Sequence, residues 1–362
     1  MTTIAIDASA LTGPPSGTPR YILELIQGLR KLAVEERFVL LRRGVAVDSP
    51  VFPGMETRSA NMPLWLTVFV PYVLISERAA LIHFPYAAMP PWLPCRSIVT
   101  VHDLSFVRNP EWFTPRMEAM LRRSWLPAIR RADHVLCVSE FTKREVMELL
   151  GVDPSGITVA HHGVGEMWHL VAEQDALAHP NGGRPYVLAV GTIQPRKNYG
   201  RLIEAFAQAS SQIRDLDLCL VGSFGWGPDN LTEIARQCGV ADRVRLPGSV
   251  SDQKLLAWYH HARALAFVSL HEGFGFPLLE AMAQGIPCLS SNGSSLAEVA
   301  GDAAELAEPE DVSAIARGLV RVCTDEDLRV RLRQRGLARA RGFTWERCAR
   351  TTLQAYRATY QR

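Results

Sequence analysis

Two glutamates with seven residues between them stand out in the stretch HEGFGFPLLEAMAQGIP, residues 271–287. Glu272 follows an apolar run typical of a buried strand, ALAFVSL at 264–270, and Glu280 lies within a helical pattern, PLLEAMAQG at 277–285. A turn and about one turn of helix would therefore separate the two carboxylates. Because an ionised carboxylate only accepts hydrogen bonds, this arrangement predicts a ligand that carries hydroxyl groups at two separate points.

The segment between the two glutamates is suited to an anion. Gly273 and Gly275 allow backbone N–H groups to approach a ligand closely, Pro277 is predicted at the first position of the helix, and Gly285 at its end. The N-terminus of a helix attracts negative charge. A nucleotide sugar has the required groups in the required order: a ribose diol, a diphosphate and a hexose.

A second motif offers positive charge. The stretch VGTIQPRKN, residues 190–198, ends another predicted strand and places Arg196 and Lys197 where the helical pattern NYGRLIEAF begins. A guanidinium fork and an ammonium group at the carboxyl end of a strand can clamp a phosphate. An Arg-Lys pair by itself is more often a solvated surface pair, so the prediction depends on the two motifs occurring together.

Length and composition limit the class of protein. A chain of 362 residues exceeds what one core usually fills, which predicts two domains, and 39 basic against 37 acidic side chains give no global reason to expect nucleic acid. The seven cysteines have no zinc or C-x-x-C spacing, the N-terminus does not resemble a signal peptide, and the most apolar stretch, 63–75, is interrupted by Pro71. We expect a cytoplasmic protein, either in solution or at the membrane surface.

Strand-like runs alternate with helical patterns in both halves of the chain, which predicts parallel sheets with crossover helices. The predicted strands are 3–9, 37–43, 80–86, 97–103, 134–140 and 157–163, then 186–192, 218–223, 243–249, 264–270, 286–291 and 303–308. The predicted helices are 19–33, 115–132, 141–151, 198–210, 230–239, 252–262, 277–285, 311–323 and 342–362. The stretch 165–185, polar and rich in glycine and proline towards its end, is the predicted linker.

Further segments carry a resemblance to a known family. They are VGSFGWG (221–227), LPGSVSDQKL (246–255) and SLAEVAGDAA (295–304), and in the first half GTPRY (17–21), VHDLSF (101–106), VSEFTKREV (138–146) and HHGV (161–164). Together with the two motifs above, they resemble the retaining GT-B glycosyltransferases of family 4, which include sucrose synthases, bacterial mannosyltransferases and lipopolysaccharide glycosyltransferases. Within that family, the polysaccharide-assembly mannosyltransferases are the most similar branch.

The resemblance implies an α/β fold of the GT-B type. Two doubly wound, Rossmann-like domains would face a central cleft, with an acceptor-side domain at residues 1–175 and a nucleotide-sugar domain at 182–343. The C-terminal helix, 344–362, would cross back to the first domain and bury Phe343, Trp345, Leu353 and Tyr356 on one face.

The resemblance also implies roles for single residues. Glu280 would bind the ribose hydroxyls, and Arg196 with Lys197 the diphosphate. Glu272 and the backbone amides of 273–275 would hold the donor hexose, and the loop from Gly248 to Val250 would contact the base. The donor-site residues implied in this way are Gly191, Arg196, Lys197, Gly248, Val250, Glu272, Gly273, Phe274, Gly275, Pro277, Leu278 and Glu280.

The first domain would contribute the rest of the implied site. His102, which with Glu272 forms the implied catalytic pair, would face the donor sugar, and Gly17, Arg20 and Tyr21 would form a glycine loop near the reaction centre. The sequence departs from the family at two points. Prolines separate Gly13 from Gly17, where relatives often have adjacent glycines, and Ser249 stands where relatives commonly have an aromatic residue.

Three patterns resemble metal sites and are interpreted otherwise. The DLD stretch at 215–217 matches the D-x-D of metal-dependent transferases, but it leads into the apolar run LCLVG and is interpreted as the entry to a strand. The pairs His161-His162 and His260-His261 are interpreted as structural, because adjacent side chains on a strand or helix point apart. We therefore expect no metal and no other cofactor.

A basic segment of the first half leaves two alternatives open. Residues 116–131 contain five arginines and one acid, with Met, Leu and Trp between them. The helix could lie on anionic lipid headgroups, with Trp92, Trp112 and Trp125 at the interface. It could equally be a solvated helix whose apolar face is part of the core.

The implied activity is a metal-independent, retaining transfer of a hexose, with mannose from GDP-mannose as the preferred donor. The partners would be a GDP- or UDP-hexose and a glycan acceptor, lipid-linked, in the assembly of bacterial surface polysaccharide or lipopolysaccharide, with peripheral contact to the inner leaflet. Two alternatives are a nucleotide-sugar epimerase of the same architecture and a non-catalytic sugar-binding protein. Donor turnover with and without acceptor distinguishes the three.

Overall fold

The computed structural model describes residues 1–12, 17–32, 35–44, 52–169, 177–226 and 230–362. The chain divides into two compact units, Met1–Gly163 with Thr344–Arg362, and Val164–Phe343. Part of the predicted linker, residues 170–176, and Gly13 of the predicted glycine loop lie outside the described residues. The domain limits of 1–175 and 182–343 therefore stay a prediction.

The first unit contains a seven-stranded parallel sheet in the order β3-β2-β1-β4-β5-β6-β7. Its strands are β1 (Thr3–Asp7), β2 (Arg37–Arg43), β3 (Glu56–Ala60), β4 (Leu81–Phe84), β5 (Arg96–Val101), β6 (His134–Cys137) and β7 (Ile157–Val159). All six strands predicted for this half are present. The seventh, β3, was missed because its sequence ETRSA is polar, as an exposed edge strand allows.

Helices cover the sheet of the first unit. The α-helices between residues 1 and 163 are α1 (Thr18–Lys31), α2 (Val70–Ser76), α3 (Ser105–Arg108), α4 (Pro115–Arg131) and α5 (Glu140–Leu150). A π-helical segment, Trp65–Phe69, leads directly into α2, so the apolar stretch at 63–75 is a helix that the sequence analysis did not predict. Pro71 lies in the first turn of α2, so the helical segment continues through the proline that interrupts the apolar stretch.

The second unit contains a six-stranded parallel sheet in the order β10-β9-β8-β11-β12-β13. Its strands are β8 (Tyr186–Val190), β9 (Asp217–Val221), β10 (Val244–Gly248), β11 (Ala264–Phe267), β12 (Cys288–Ser291) and β13 (Glu305–Ala307). Each matches a predicted strand and is shorter than predicted. For every strand of this unit except β12, the predicted segment continued into the loop at the carboxyl end of the strand.

The helices of the second unit include two that were not predicted. They are α6 (Tyr199–Ala209), α7 (Leu231–Gln237), α8 (Asp252–His260), α9 (Phe276–Ala283), α10 (Ser294–Ala300), α11 (Val312–Thr324) and α12 (Glu326–Ala340). The unpredicted helices are α10 and α12. In α12 the buried positions Leu328, Leu332, Gly336 and Ala340 recur every four residues, but half of them are small and arginines dominate between them. This weakens the apolar pattern.

The C-terminal helix α13 (Trp345–Tyr360) belongs to the first unit, as predicted. It packs on α1 so closely that a Cβ atom on Gly28 would lie 2.9 Å from the Cβ of Ala349. Arg357 adds an ion pair at 2.6 Å to the buried Glu36. Phe343, predicted to share the buried face of this helix, instead lies in the second unit against Phe274.

The DLD stretch is a structural element, as interpreted from sequence. Asp217 begins β9 and is fully buried, and its carboxylate pairs with Arg184 at 3.0 Å and with Arg245 at 3.5 Å. Among the residues that the structure describes, no three His, Cys, Asp or Glu side chains are grouped as a metal site would require. Across the same residues, no helix is long and apolar enough to cross a membrane.

Candidate active site

Glu272, Arg196 and Lys197 form one ion-paired cluster in the second unit. Arg196 Nη1 lies 2.6 Å from Glu272 Oε2, and Lys197 Nζ lies 2.6 Å from Glu272 Oε1, so each carboxylate oxygen has its own cation. Arg196 and Lys197 follow β8, while Glu272 follows β11, and these strands are hydrogen-bonded neighbours. The structure therefore brings the two sequence motifs together at the carboxyl ends of adjacent parallel strands.

The cluster is nearly buried and keeps its charges. Burial raises the pKa of the Glu272 carboxyl, but Arg196 and Lys197 together outweigh burial and lower it to about 2. The ammonium of Lys197 also lies 4.7 Å from the centre of the Phe267 ring, a cation–π contact. Two cations against one carboxylate leave a net charge of about +1 at this site.

Backbone and side-chain contacts fix Arg196. Its Nη1 donates to the carbonyl of His271 at 3.2 Å, and its own carbonyl accepts from the N–H of Leu270 at 2.8 Å. With the amide of Gln194 oriented so that its oxygen faces the guanidinium, that oxygen accepts from Arg196 Nε at 3.0 Å and from Nη2 at 3.1 Å. The guanidinium is thus held before any ligand arrives.

Asn198 explains why the motif turns sharply after Lys197. It adopts a left-handed conformation with φ of 61°, which asparagine tolerates better than most residues. Its side-chain amide donates to the carbonyl oxygens of Val268 and Pro309 at 3.0 and 2.6 Å. Because Asn198 is the cap of α6, these bonds connect the start of that helix to the segments that follow β11 and β13.

The turn at Glu272 is held by a serine from α10. Ser295 Oγ contacts the carbonyl oxygens of Glu272 and Phe274 at 2.8 and 2.9 Å, and it is fully buried. Gly275 has a φ of 115°, and a Cβ atom there would lie 2.5 Å from Leu296 Cδ2. Only glycine therefore fits at this point of the turn.

Helix α9 begins one residue earlier than predicted. Phe276 is its first residue and Pro277 the second, after the glycine cap Gly275, which has no side chain that could accept from the first-turn amides. Leu278, an implied donor-site residue, is fully buried, backbone included. Helix α9 nonetheless starts where the sequence analysis required positive potential, directly after Glu272 and its turn.

Glu280 lies one turn into α9, buried and hydrogen-bonded. Tyr259, near the end of α8, donates its hydroxyl to Glu280 Oε2 at 2.7 Å. The Tyr259 ring is itself fully buried and packs edge-on against Trp168 at 5.6 Å. The carboxylate is thus oriented by a residue 21 positions away in sequence.

Gly191 and Gly248 lie at the same edge of the sheet as the cluster. A Cβ atom on Gly191 would lie 3.0 Å from Lys197 Cε, and its carbonyl accepts from the Tyr199 hydroxyl at 3.2 Å. The carbonyl of Gly248 accepts from the N–H of Gly222 at 3.0 Å. Val250 is partly buried and follows at the end of the edge strand β10.

The implied residues of the first unit show a different chemistry. His102 Nε2 lies 3.0 Å from the carbonyl of Pro85. Burial lowers the pKa of His102 to about 4, against partly opposing effects of that carbonyl and Asp103. The imidazole is therefore neutral at neutral pH, and since a carbonyl can only accept, Nε2 carries the proton and Nδ1 is an acceptor.

Tyr21 is buried rather than presented on a loop. Its hydroxyl is 3.0 Å from Thr100 Oγ1, and its ring packs edge-on against His102 at 5.0 Å. Gly17 caps α1 with φ of 56°, and Arg20 lies partly exposed in the first turn. The packing of Tyr21 against His102 thus helps to fix the position of the imidazole.

A buried hydrogen-bonded chain continues from Tyr21 to the C-terminal helix. His83 Nε2 lies 2.7 Å from Thr100 Oγ1, and the Tyr356 hydroxyl lies 2.6 Å from His83 Nδ1. Burial, with a smaller effect of His102, lowers the pKa of His83 to about 3, so His83 is neutral. The chain connects α13, β4, β5 and α1 through uncharged groups.

Sequence reasoning missed the residues that orient the implied ones. Gln194, Asn198 and Ser295 belong to quoted segments but received no role, and Tyr259 was not considered. The capacity of asparagine for a left-handed turn was a usable signal for Asn198. Tyr259 gave no signal, because its partner is on another helix.

The chain matches two family models that divide it between them. The model described as "Glycosyltransferase Family 4" matches residues 15–165, and that described as "Glycosyl transferases group 1" matches residues 172–339. O-antigen chain mannosyltransferase B of Escherichia coli is 29% identical over 369 residues, which cover 95% of this chain and 96% of that protein.

Solved structures show the same fold. Sucrose-phosphate synthase from Thermosynechococcus elongatus superposes with a TM-score of 0.80 at 21% identity, covering 100% of both chains. Anabaena HepE, in complex with UDP and glucose, superposes with a TM-score of 0.76 at 16% identity over 99% of this chain and 100% of that one. The fold is that of the GT-B glycosyltransferases. The chain belongs to glycosyltransferase family 4, as its motifs indicated, and it is a hexosyltransferase.

Proposed function

We propose that this hexosyltransferase transfers its sugar from a nucleotide sugar to a glycan acceptor with retention of configuration. The observation that carries the proposal is the cluster of Glu272, Arg196 and Lys197 directly before the first turn of α9. A net positive charge and a helix N-terminus suit a diphosphate. Glu280, one turn further along, supplies a carboxylate for a ribose diol.

The preferred donor in this proposal is GDP-mannose. Its support is the similarity to the Escherichia coli O-antigen chain mannosyltransferase over 95% of the chain. The acceptor is a lipid-linked glycan of bacterial surface polysaccharide or lipopolysaccharide, and the protein acts in the cytoplasm, peripherally at the membrane. UDP-hexoses are the competing donors, since the backbone of Gly248 to Val250 does not by itself select a base.

The proposed reaction is assisted by charge and by position. Arg196, Lys197 and the N-terminus of α9 stabilise the leaving nucleoside diphosphate, and no metal supplies that charge. The acceptor hydroxyl attacks the face that the leaving group vacates, and a donor phosphate oxygen takes its proton. His102, neutral with Nδ1 as acceptor, binds a hydroxyl of the donor sugar.

Calorimetry and a transfer assay test the proposal. We expect GDP and GDP-mannose to bind equally well with and without EDTA, and transfer to require the acceptor. Loss of binding in EDTA would contradict the metal-independent form. Conversion of the donor into its epimer without acceptor would instead indicate an epimerase, and inversion at the anomeric carbon, measured by NMR of the product, would contradict retention.

A further inference from the structure

A row of large apolar side chains is exposed on the segment that leads into and through α2. Their exposed fractions are 57% for Leu64, 47% for Val68, 67% for Tyr72 and 58% for Ile75. Steps of four, four and three residues place them on one side of a helical segment. We call these four residues the apolar row. Soluble surfaces seldom expose such a contiguous row unless it contacts something.

The opposite side of the same segment is fixed in the core. Trp65, Val70, Val73 and Leu74 are buried there and pack in the hydrophobic cluster on one face of the sheet of the first unit. The helix therefore cannot turn its apolar row inwards without removing these side chains from the core. The exposure of the row follows from the fold.

Helix α4 lies on the same face of the sheet and contributes charge. Its apolar side belongs to the core: Leu121 and Trp125 pack against the cluster that holds α2, and Trp125 meets Phe106 edge-on at 5.6 Å. Its outer side exposes Arg116, Arg123 and Arg130, for which the described part of the chain shows no hydrogen bond or ion pair. Thus α4 offers cations to the outside but no apolar stripe of its own.

The C-terminal ends of the two helices lie beside one surface cavity. Ala79, just after α2, Leu93 of the β4–β5 loop and Arg131 at the end of α4 line a common surface cavity. Trp92, beside Leu93, is 58% exposed. Both helices are crossovers that return to parallel strands on the same face, so their outer sides face in the same direction.

Acidic residues near this surface do not cancel its charge. Glu77 is paired with Arg37 and Arg58 at 2.6 Å each, and Glu118 is paired with Arg122. Glu77 and Glu118 therefore do not neutralise the outer arginines of α4.

We propose that the apolar row, Trp92 and the outer arginines of α4 form a docking surface for an anionic lipid bilayer. The proposal deepens the proposed function, because it supplies the contact that a lipid-linked acceptor requires. The side chains of Tyr72 and Trp92 suit the interface between headgroups and acyl chains, and the arginines suit anionic headgroups. A second copy of the chain fits less well, since a two-fold contact would bring the positive charge of both copies into one interface.

Vesicle flotation of the full chain tests the docking surface. We expect the protein to float with vesicles of phosphatidylcholine and phosphatidylglycerol, and to remain in solution with phosphatidylcholine alone. The double variant V68Q/I75Q should bind the anionic vesicles roughly tenfold more weakly. V330Q is the matched control, because Val330 is an equally exposed residue, at 54%, on α12 of the second unit.

A second pair of variants tests the charge. R123Q/R130Q should weaken binding to anionic vesicles by about fivefold for each arginine removed. Added salt should also weaken the binding of the native protein to these vesicles. R331Q/R341Q removes two exposed arginines from the second unit and should leave vesicle binding unchanged. Equal losses for the two arginine pairs, or for V330Q and V68Q/I75Q, would overturn the assignment to this surface.

The outcomes separate the docking surface from the proposed function. If vesicle binding fails while GDP still binds and mannose is still transferred to a soluble acceptor, the docking surface is wrong and the proposed function stands. If vesicle binding follows the variants as expected while GDP neither binds nor supports transfer, the proposed function is wrong. If the native chain is a dimer that V68Q/I75Q dissociates, the occupant of the surface is a second copy and the bilayer proposal is overturned.

Discussion

The two units place their implied site residues in opposite electrostatic environments. In the second unit, Glu272 is ionised and shared between Arg196 and Lys197. In the first unit, His102 is neutral and rests on the buried, uncharged chain that runs from Tyr21 to Tyr356. The difference indicates that the site residues of the second unit attract a negatively charged group, whereas those of the first unit are positioned by uncharged hydrogen bonds.

The charged cluster also changes what a mutation of Glu272 should do. Sequence reasoning placed Glu272 at the hexose and the two cations at the diphosphate, as separate contacts. The structure joins all three groups directly. A substitution at Glu272 therefore acts on the cations as well as on the sugar.

The largest effect is expected from Glu272→Gln. Removing the carboxylate leaves two nearly buried cations facing each other, which should lower the free energy of unfolding by about 3 kcal/mol and cut transfer by two to three powers of ten. GDP supplies negative charge at the same place, so it should raise the melting temperature of the variant more than that of the native protein. Calorimetry with and without GDP measures both; weaker GDP binding in the variant would show that the cations do not meet the diphosphate.

Acid should act mainly on the first unit. Burial holds the pKa values of His83 and His102 at about 3 and 4, and that of His162 well below its usual value, while in the unfolded chain each is near 6.5. As the pH falls from 6.5 towards 4.5, the unfolded state binds protons that the folded state does not. Stability is therefore present above pH 6.5 and should fall by about 1.4 kcal/mol per pH unit for each such histidine.

The contribution of Glu272 is lost in a lower window, because its pKa is about 2 in the folded state and near 4.5 when unfolded. Its stabilisation is complete above pH 4.5 and declines only below it. Urea unfolding at pH 7.0 and 5.0, with hydrogen exchange resolved for each unit, distinguishes the two windows. Equal protection of the first unit at both pH values would contradict the neutral-histidine interpretation.

Glu280→Gln tests the far end of the donor. The variant keeps the size of the side chain but loses a charged acceptor for the ribose diol, so GDP and GDP-mannose should both bind more weakly by about 1.5–3 kcal/mol. Tyr259→Phe removes only the hydroxyl that orients Glu280, and its effect should be in the same direction and nearer 1 kcal/mol. If titration shows mannose-1-phosphate weakened as much as GDP, Glu280 does not bind the ribose.

A smaller effect on stability is expected from a substitution at the close contact between α1 and α13. A Cβ atom on Gly28 would lie 2.9 Å from both the Ala349 Cβ and the Trp345 carbonyl, so Gly28→Ala should push α1 away from α13 and cost about 1–3 kcal/mol of stability. Gly156→Ala is the control, because no atom lies within 4 Å of a Cβ there. Urea midpoints measure the stability of both variants. An equal loss of stability in the two would mean that α1 and α13 can move apart at little cost in free energy.

Local patterns in the sequence determined the sheets and placed the two motifs. The parallel α/β class, twelve of the strands and the positions of Glu272, Glu280, Arg196 and Lys197 after strands or in a helix all follow from periodicity and from glycine and proline signals along the chain. These signals act between near neighbours. Polar edge strand β3 and arginine-rich α12 were missed because their local patterns are weak.

Only the tertiary structure decided which groups touch. The pairing of Glu272 with Arg196 and Lys197 spans about 75 residues, and the contact of Tyr356 with His83 spans 273, so no local spacing predicts either. The neutral state of His102 follows from its burial. The apolar row is exposed because the opposite side of α2 packs in the hydrophobic core. Burial and ion pairing arise from residues that are distant in sequence, and that is why the charge of each site was fixed by the fold.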